Sequence, residues 1–212
     1  MTLEEAIAKI KPLDHNAMEI AQKRWDSIAK PLHSLGKLET LLIQIAGITG
    51  NAEVDLSRRG LIAMCADNGV VEEGVTQTGQ EVTAIVAENF LKYDTSVGVM
   101  CKQNHAEIFP VDMGMVTDTK VRTDHKIAYG TQNMTKGPAM TREQAVKGLE
   151  AGIDMVRELN DKGYRILATG EMGIGNTTTS SAVASVLLKQ PVEEMTCLLY
   201  TSDAADDMQC VD

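Results

Sequence analysis

Aromatic side chains are scarce in this 212-residue chain: four Tyr, two Phe and one Trp. A core must therefore be built from Leu, Ile, Val, Ala and the twelve Met, the last serving as flexible filler. Positive charge is also in deficit, with 20 Lys and Arg against 30 Asp and Glu, a formal net charge of −10. The basic residues are scattered and form no stripe. That argues against nucleic acid and against a membrane surface as partner. Small anions stay possible, because N–H groups at a helix start bind phosphate without net positive charge. The four cysteines, Cys65, Cys101, Cys197 and Cys210, form no CxxC. No apolar run approaches the roughly twenty residues of a membrane span, and the first ten residues are too charged for a secretory leader. A cytoplasmic protein with free thiols is the expectation. His15, His33, His105 and His125 lack metal-ligand spacing with each other or with Cys, so neither a metal nor a cofactor is expected. No nucleophile elbow of the form G-x-S-x-G is present.

The length is enough to bury a real core. Thr2 with Glu5 has the form of a capping box, and Asp14 can cap a second helix in which Ala17, Ala21, Trp25 and Ile28 recur at helical spacing. After a loop at 30–39, a third helix spans about Leu38–Ile48. The rhythm then changes to short apolar runs alternating with helices. Leu61–Cys65, Ile108–Val111 and Tyr164–Thr169 read as strands. The helices between and after them are Gln80–Tyr93 (Val82, Ile85, Val86 and Phe90 inward), Val97–Gln103, Thr141 to about Asn160 (Ala145, Leu149, Ile153 and Val156 inward) and Asn176–Lys189. The expected fold is α/β: a three-layer, mostly parallel, Rossmann-like sheet flanked by helices, with a small helical N-terminal subdomain. The expected boundaries are residues 1–50 for the subdomain and 51–195 for the α/β core.

Each strand ends in Gly with Asp or Glu: Asp67-Asn68-Gly69, Asp112-Met113-Gly114 and Gly170-Glu171. Ligands of open α/β sheets bind beyond such ends, so one shared cleft is expected. The last of the three, GEMGIGNTT at 170–178, joins a strand to a helix. Its glycines permit close backbone approach, and the N–H groups and hydroxyls of Asn176, Thr177 and Thr178 open the helix towards an anion. It resembles a P-loop except that Asn176 stands at the lysine position, which favours one phosphate over a triphosphate. Glu171 beside it could accept from a ribose hydroxyl or sit near a developing cationic sugar. Gln80 either caps a helix or reads a heteroaromatic base, and Glu72 and Glu73 read as solvated loop residues. The residues alone stop at a phosphate-binding α/β domain. A P-loop-like ATPase or kinase and a non-catalytic small-ligand module both remain open.

The words KPLHSLGKLE (30–39), ADNGVVEEGVTQTGQEVT (66–83), VDMGM (111–115), KGPAMTREQA (136–145) and GEMGIGNTTTSSA (170–182) together resemble the nicotinate-nucleotide–dimethylbenzimidazole phosphoribosyltransferases. The resemblance implies an enzyme of cobalamin lower-ligand synthesis, a homodimer that moves phosphoribose from nicotinate mononucleotide to 5,6-dimethylbenzimidazole with inversion at C1′. It implies a phosphate and ribose site at Gly173, Gly175, Asn176, Thr177 and Thr178, with Glu171 beside the ribose or nicotinate, and a base pocket at Thr76 and Gln80. Asn68 replaces a common His of the family, and Leu32-His33 stands where many members have Pro-Gly. Family members are longer, and the resemblance places their general base beyond this chain, leaving Glu171 as the local candidate. Residues 196–212 resemble no part of the family and read as an appended, non-family tail. The chain is accordingly expected to be C-terminally truncated and inactive by itself.

Overall fold

A computed structural model describes residues 1–196; the expected tail beyond its first residue, with Cys197 and Cys210, lies outside the described residues. The chain divides into two compact units. One comprises Met1–Arg59 with Gly152–Leu167, and the other comprises Gly60–Ala151 with the described residues from Ala168 on. The N-terminal helices are thus grouped with a segment expected, from sequence, in the α/β core.

In the first unit, α1 (Leu3–Ala8) starts with the expected capping box: Thr2 Oγ1 accepts from the Glu5 N–H at 3.1 Å while the Glu5 carboxylate accepts from the Thr2 N–H. Asp14 caps α2 (His15–Ser27), its Oδ1 accepting from the Ala17 N–H at 3.0 Å. α2 buries Ala17 and Ala21, and α3 (Lys37–Thr49) buries Ala46 and Gly47, so the two pack with little side-chain bulk between them. Ile28, expected inward, is exposed. The loop between the helices is closed by its own ends. Lys30 Nζ lies 2.8 Å from Glu39 Oε1, which also accepts from the Leu35 N–H at 3.0 Å. His33 sits in this loop at φ 57°, a left-handed conformation that glycine adopts without strain.

The second unit holds β1 (Arg59–Ala66), α4 (Glu81–Lys92), α5 (Ser96–Gln103) and β2 (Ala106–Gly114). α6 (Arg142–Asp161) and β3 (Ile166–Met172) run from one unit into the other, and α7 (Asn176–Leu188) and α8 (Val192–Met195) follow. The three strands form a parallel sheet flanked by helices, in the order β2-β1-β3. β1 is therefore central, and its carboxyl end neighbours those of both other strands. β3 begins two residues later than expected and continues through Gly170, Glu171 and Met172. Pairing in the sheet overrides the weak strand preference of glycine, so Glu171 belongs to the strand and not to the loop.

The core of this unit gathers Ala63 and Cys65 of β1, Ala84, Ala87 and Phe90 of α4, Cys101 of α5, Ile108 of β2, and Met115 and Val121. α4 turns Thr83, Ala84, Ala87 and Phe90 inward; Ile85, expected there, is exposed. On α6 the buried row is Ala151, Met155 and Leu159, whereas Leu149 and Val156 are exposed. Both helices carry two apolar rows, and on α4 the row with the small residues is the one that is buried. Burial pushes the Cys65 thiol up to about 12, so it stays protonated at neutral pH. The second half of α7 is apolar at Ala182–Ala184 and Val186–Leu188, yet none of its residues is buried.

The Lys30 hydrogen bond holds the Glu39 carboxyl below its ordinary 4.5 against the opposing effect of burial, with the Leu35 N–H adding to it. A depressed carboxyl contributes stability that is present above its unfolded value and lost as pH falls through its folded value. Glu39→Gln is therefore expected to melt below wild type at neutral pH, with the gap closing below pH 4.5. Thermal melts by circular dichroism across that range measure it.

Candidate functional site

The turn after β1 is the centre of the loop cluster at the carboxyl ends of the strands. Asp67 is fully buried. Its N–H donates to the Gly114 carbonyl at 2.9 Å, its carbonyl accepts from Thr131 at 3.0 Å, and its Oδ2 accepts from the Val116 N–H at 2.8 Å. These bonds join the end of β1 to the end of β2 and to the long connection after it. At Gly69 that connection passes so close that an added Cβ would stand 2.5 Å from the Thr131 carbonyl oxygen. Glu72 and Glu73 are exposed, as expected, but they also anchor this connection. Glu72 pairs with Lys136, and Glu73 accepts from Asn133 Nδ2 at 2.6 Å and from the Thr135 hydroxyl at 3.1 Å. Those partners hold both carboxyls below the usual carboxylate range.

The glycine-rich loop packs on the other side of the same turn. A Cβ on Gly173 would meet the Ala66 carbonyl oxygen at 2.2 Å. Asn68 Nδ2 donates to the Ile174 carbonyl at 3.0 Å, and its Oδ1 lies 3.2 Å from the Thr179 hydroxyl. Gly175 follows at φ 84° and stands at the N-cap of α7 without a side chain to cap it. Asn176 N–H returns to the Gly173 carbonyl at 3.0 Å and Thr179 N–H to the Gly175 carbonyl at 3.3 Å. Among the described residues none accepts from the N–H groups of Thr177 and Thr178, which are left to face an acceptor beyond the helix.

A cavity of about 440 Å³ opens here, lined by Gly74–Thr78 on one side and Ile174–Thr177 on the other. It is within the usual size of small-molecule sites. Of the residues singled out from sequence, Gly175, Asn176, Thr177 and Thr76 line it together. Glu171 reaches it through a hydrogen bond accepted from Asn176 Nδ2. Gly173 lies under the loop, where it permits the contact with Ala66. Thr178 belongs to the first turn of α7 but is not in the lining. Gln80 is also outside the lining, and its Nε2 donates to the Asn68 carbonyl at 3.1 Å.

Sequence reasoning did not single out Thr83, whose buried hydroxyl accepts from the Ile174 N–H at 3.1 Å, nor the bracing role of Asn68. Nothing in the local sequence marks Thr83, because its partner lies 91 positions away.

Among the described residues, the loops at the strand ends line more than one cavity. The loop after β2 lines a separate apolar one of about 160 Å³, formed by Ala66, Met113, Gly114, Ile127, Met140 and neighbours. A charge cluster is built around residues adjacent in sequence to this lining. Lys126 Nζ lies 3.1 Å from the buried Asp112, 3.2 Å from Asp118 and 3.8 Å from the centre of the Tyr129 ring. Burial lowers the Lys126 ammonium, but hydrogen bonds to the two carboxylates outweigh it and hold the group above its ordinary range. Among the described residues no group of three or more His, Cys, Asp or Glu is placed to hold a metal, and no helix is long and apolar enough to cross a membrane.

A family model described as phosphoribosyltransferase matches residues 10–204. The chain belongs to this phosphoribosyltransferase family. It is similar to the nicotinate-nucleotide–dimethylbenzimidazole phosphoribosyltransferase of Ruminiclostridium cellulolyticum, at 50% identity over 197 residues, 92% of this chain and 56% of that protein. The protein of the same name in Clostridium tetani is 48% identical over 187 residues, 87% of this chain and 52% of its own. Among solved structures, CobT from Thermus thermophilus superposes with a TM-score of 0.75 at 35% identity, over 83% of this chain and 54% of that one. The chain thus spans about half the length of the curated relatives it matches.

For this phosphoribosyltransferase chain, the contact of Gly173 with Ala66 carries a direct expectation. Gly173→Ala must separate the two loops and is expected to cost about 1–3 kcal/mol of stability. Chemical denaturation measures the cost; a variant as stable as wild type would show that the contact is slack.

Proposed function

We propose that the protein transfers phosphoribose from nicotinate mononucleotide to 5,6-dimethylbenzimidazole, as the names of its relatives describe, in the synthesis of the lower ligand of cobalamin. The observation that carries this reading is the cavity between Gly74–Thr78 and the start of α7, with unpartnered N–H groups at Thr177 and Thr178. Those groups and the dipole of α7 suit one phosphate. A triphosphate is poorly served, because the P-loop lysine position holds Asn176, a neutral side chain already bonded to Glu171.

With the phosphate at α7, the ribose lies towards Glu171 and Asn176, where a carboxylate can accept from a hydroxyl and favour positive charge developing at C1′. The Gly74–Thr78 side then faces the incoming base, and Thr76 lies within it. Gln80 bears on the base through the Asn68 turn that it braces. One bond forms, from a benzimidazole nitrogen to C1′, as the bond from C1′ to the nicotinate nitrogen breaks, and the benzimidazole N–H proton leaves to a base. Pyridinium is a good leaving group, so positioning and phosphate anchoring supply much of the catalysis. The acidic charge balance fits small-molecule partners in preference to nucleic acid or membrane, and the reading includes a cytoplasmic homodimer.

Because the chain spans about half of its relatives, the direct test on this polypeptide is binding. Titration calorimetry with nicotinate mononucleotide is expected to show one site that ribose 5-phosphate competes for and ATP does not. The transfer itself is tested on a chimera that continues this chain with the remaining length of the Ruminiclostridium relative. Nicotinate release is expected to depend on added dimethylbenzimidazole. ATP hydrolysis in its place would overturn the reading in favour of a nucleotide hydrolase.

A further inference from the structure

We propose that Asn68 is the positioning residue of the phosphoribose loop, holding Ile174–Asn176 in the binding conformation before any ligand arrives. The proposal deepens the reading above and rests on it for the identity of the ligand. Its structural basis is the main chain of Ile174, which is tied at both ends to side chains from other elements. The Ile174 N–H donates to the buried hydroxyl of Thr83 on α4 at 3.1 Å, and the Ile174 carbonyl accepts from Asn68 Nδ2 at 3.0 Å. Asn68 is itself braced. Its carbonyl accepts from Gln80 Nε2 at 3.1 Å and from the Val71 N–H at 3.1 Å. Its Oδ1 stands 3.2 Å from the hydroxyl of Thr179, on the first turn of α7.

One short side chain thus joins the turn after β1, the loop after β3 and the start of α7. Neither Asn68 nor Thr83 lines the cavity, while Ile174, Gly175 and Asn176 do, so both act through the loop and not on the ligand. A loop already held in place spends its ordering entropy in folding, which leaves more of the contact energy for affinity. The position requires one donor and one acceptor on a short arm. Asparagine supplies both, as does neutral histidine; aspartate offers only acceptors and would face the Ile174 carbonyl, and leucine offers neither.

The test uses the 212-residue chain with Asn68→Leu and Asn68→His. Three quantities are measured: the dissociation constant for nicotinate mononucleotide, ligand-free hydrogen exchange of the Ile174 and Asn176 amides, and exchange along α4. Asn68→Leu is expected to weaken binding about ten-fold, because it leaves the Ile174 carbonyl unsatisfied. It should also speed exchange in the loop and leave α4 unchanged, and Asn68→His should restore affinity to within about three-fold of wild type. Wild-type affinity and loop exchange in Asn68→Leu would overturn the proposal. So would exchange that rises equally in α4, since the residue would then be merely structural. If Asn68→Leu does not fold, the isosteric Asn68→Asp supplies the same comparison. If wild type fails to bind nicotinate mononucleotide, the functional reading falls, and loop exchange by itself still decides whether Asn68 is the clamp.

Discussion

The carbonyl oxygen of Ala66 would stand 2.2 Å from any Cβ at residue 173, so the loop after β3 rests directly on the end of β1. The rest of the site depends on that contact. It sets Ile174 within reach of Asn68 and Thr83, and Gly175 then turns the chain into α7, at whose start the Thr177 and Thr178 N–H groups have no acceptor among the described residues. The central place of β1 in the sheet makes the arrangement possible. Its carboxyl end is next to those of both β2 and β3, so a single turn, Asp67-Asn68-Gly69, bonds to the loops on either side. In sheets wound this way, the crevice for ligand opens between such neighbouring ends.

The core beneath the site follows from the shortage of aromatic residues. α4 packs on the sheet through Ala84 and Ala87, with Phe90 as its one large ring, and Met115 and Ile108 fill the remaining volume. Small residues let the helix lie close to the sheet, which places the Thr83 hydroxyl beside the loop after β3. Size does not decide the buried row of α6, where Ala151, Met155 and Leu159 are inside while Leu149 and Val156 stay outside.

Much of this was legible in the sequence because it is local. The capping box at Thr2 and Glu5, the cap at Asp14 and the order of strands and helices come from short-range spacing, and the structure contains each of them. The glycine-rich loop was legible for the same reason, since strand, glycines and threonines follow one another directly. The faces of α4 and α6 are only partly legible: Phe90 and Val86 do pack on the core, but Ile85, Leu149 and Val156 are exposed, because periodicity does not rank two apolar rows. The anchoring partners of Glu72 and Glu73 are not legible, because Lys136, Asn133 and Thr135 stand some sixty positions further along.

The α/β class, the position of the glycine-rich loop and the family rest on local pattern and on words in a fixed order, so the amino-acid order carries them without a structure. Which residues share a cavity is settled only by packing. Gly175, Asn176, Thr177 and Thr76 come together across about a hundred residues, while Met113 and Gly114 after β2 line an apolar cavity with Ala66 and Met140. Packing also gave Asn68 its place as the brace of the loop, a role that exists only once the ends of β1 and β3 are side by side. The physical reason is that a hydrogen bond depends on distance in space, and sheet pairing sets that distance without leaving a trace in neighbouring residues.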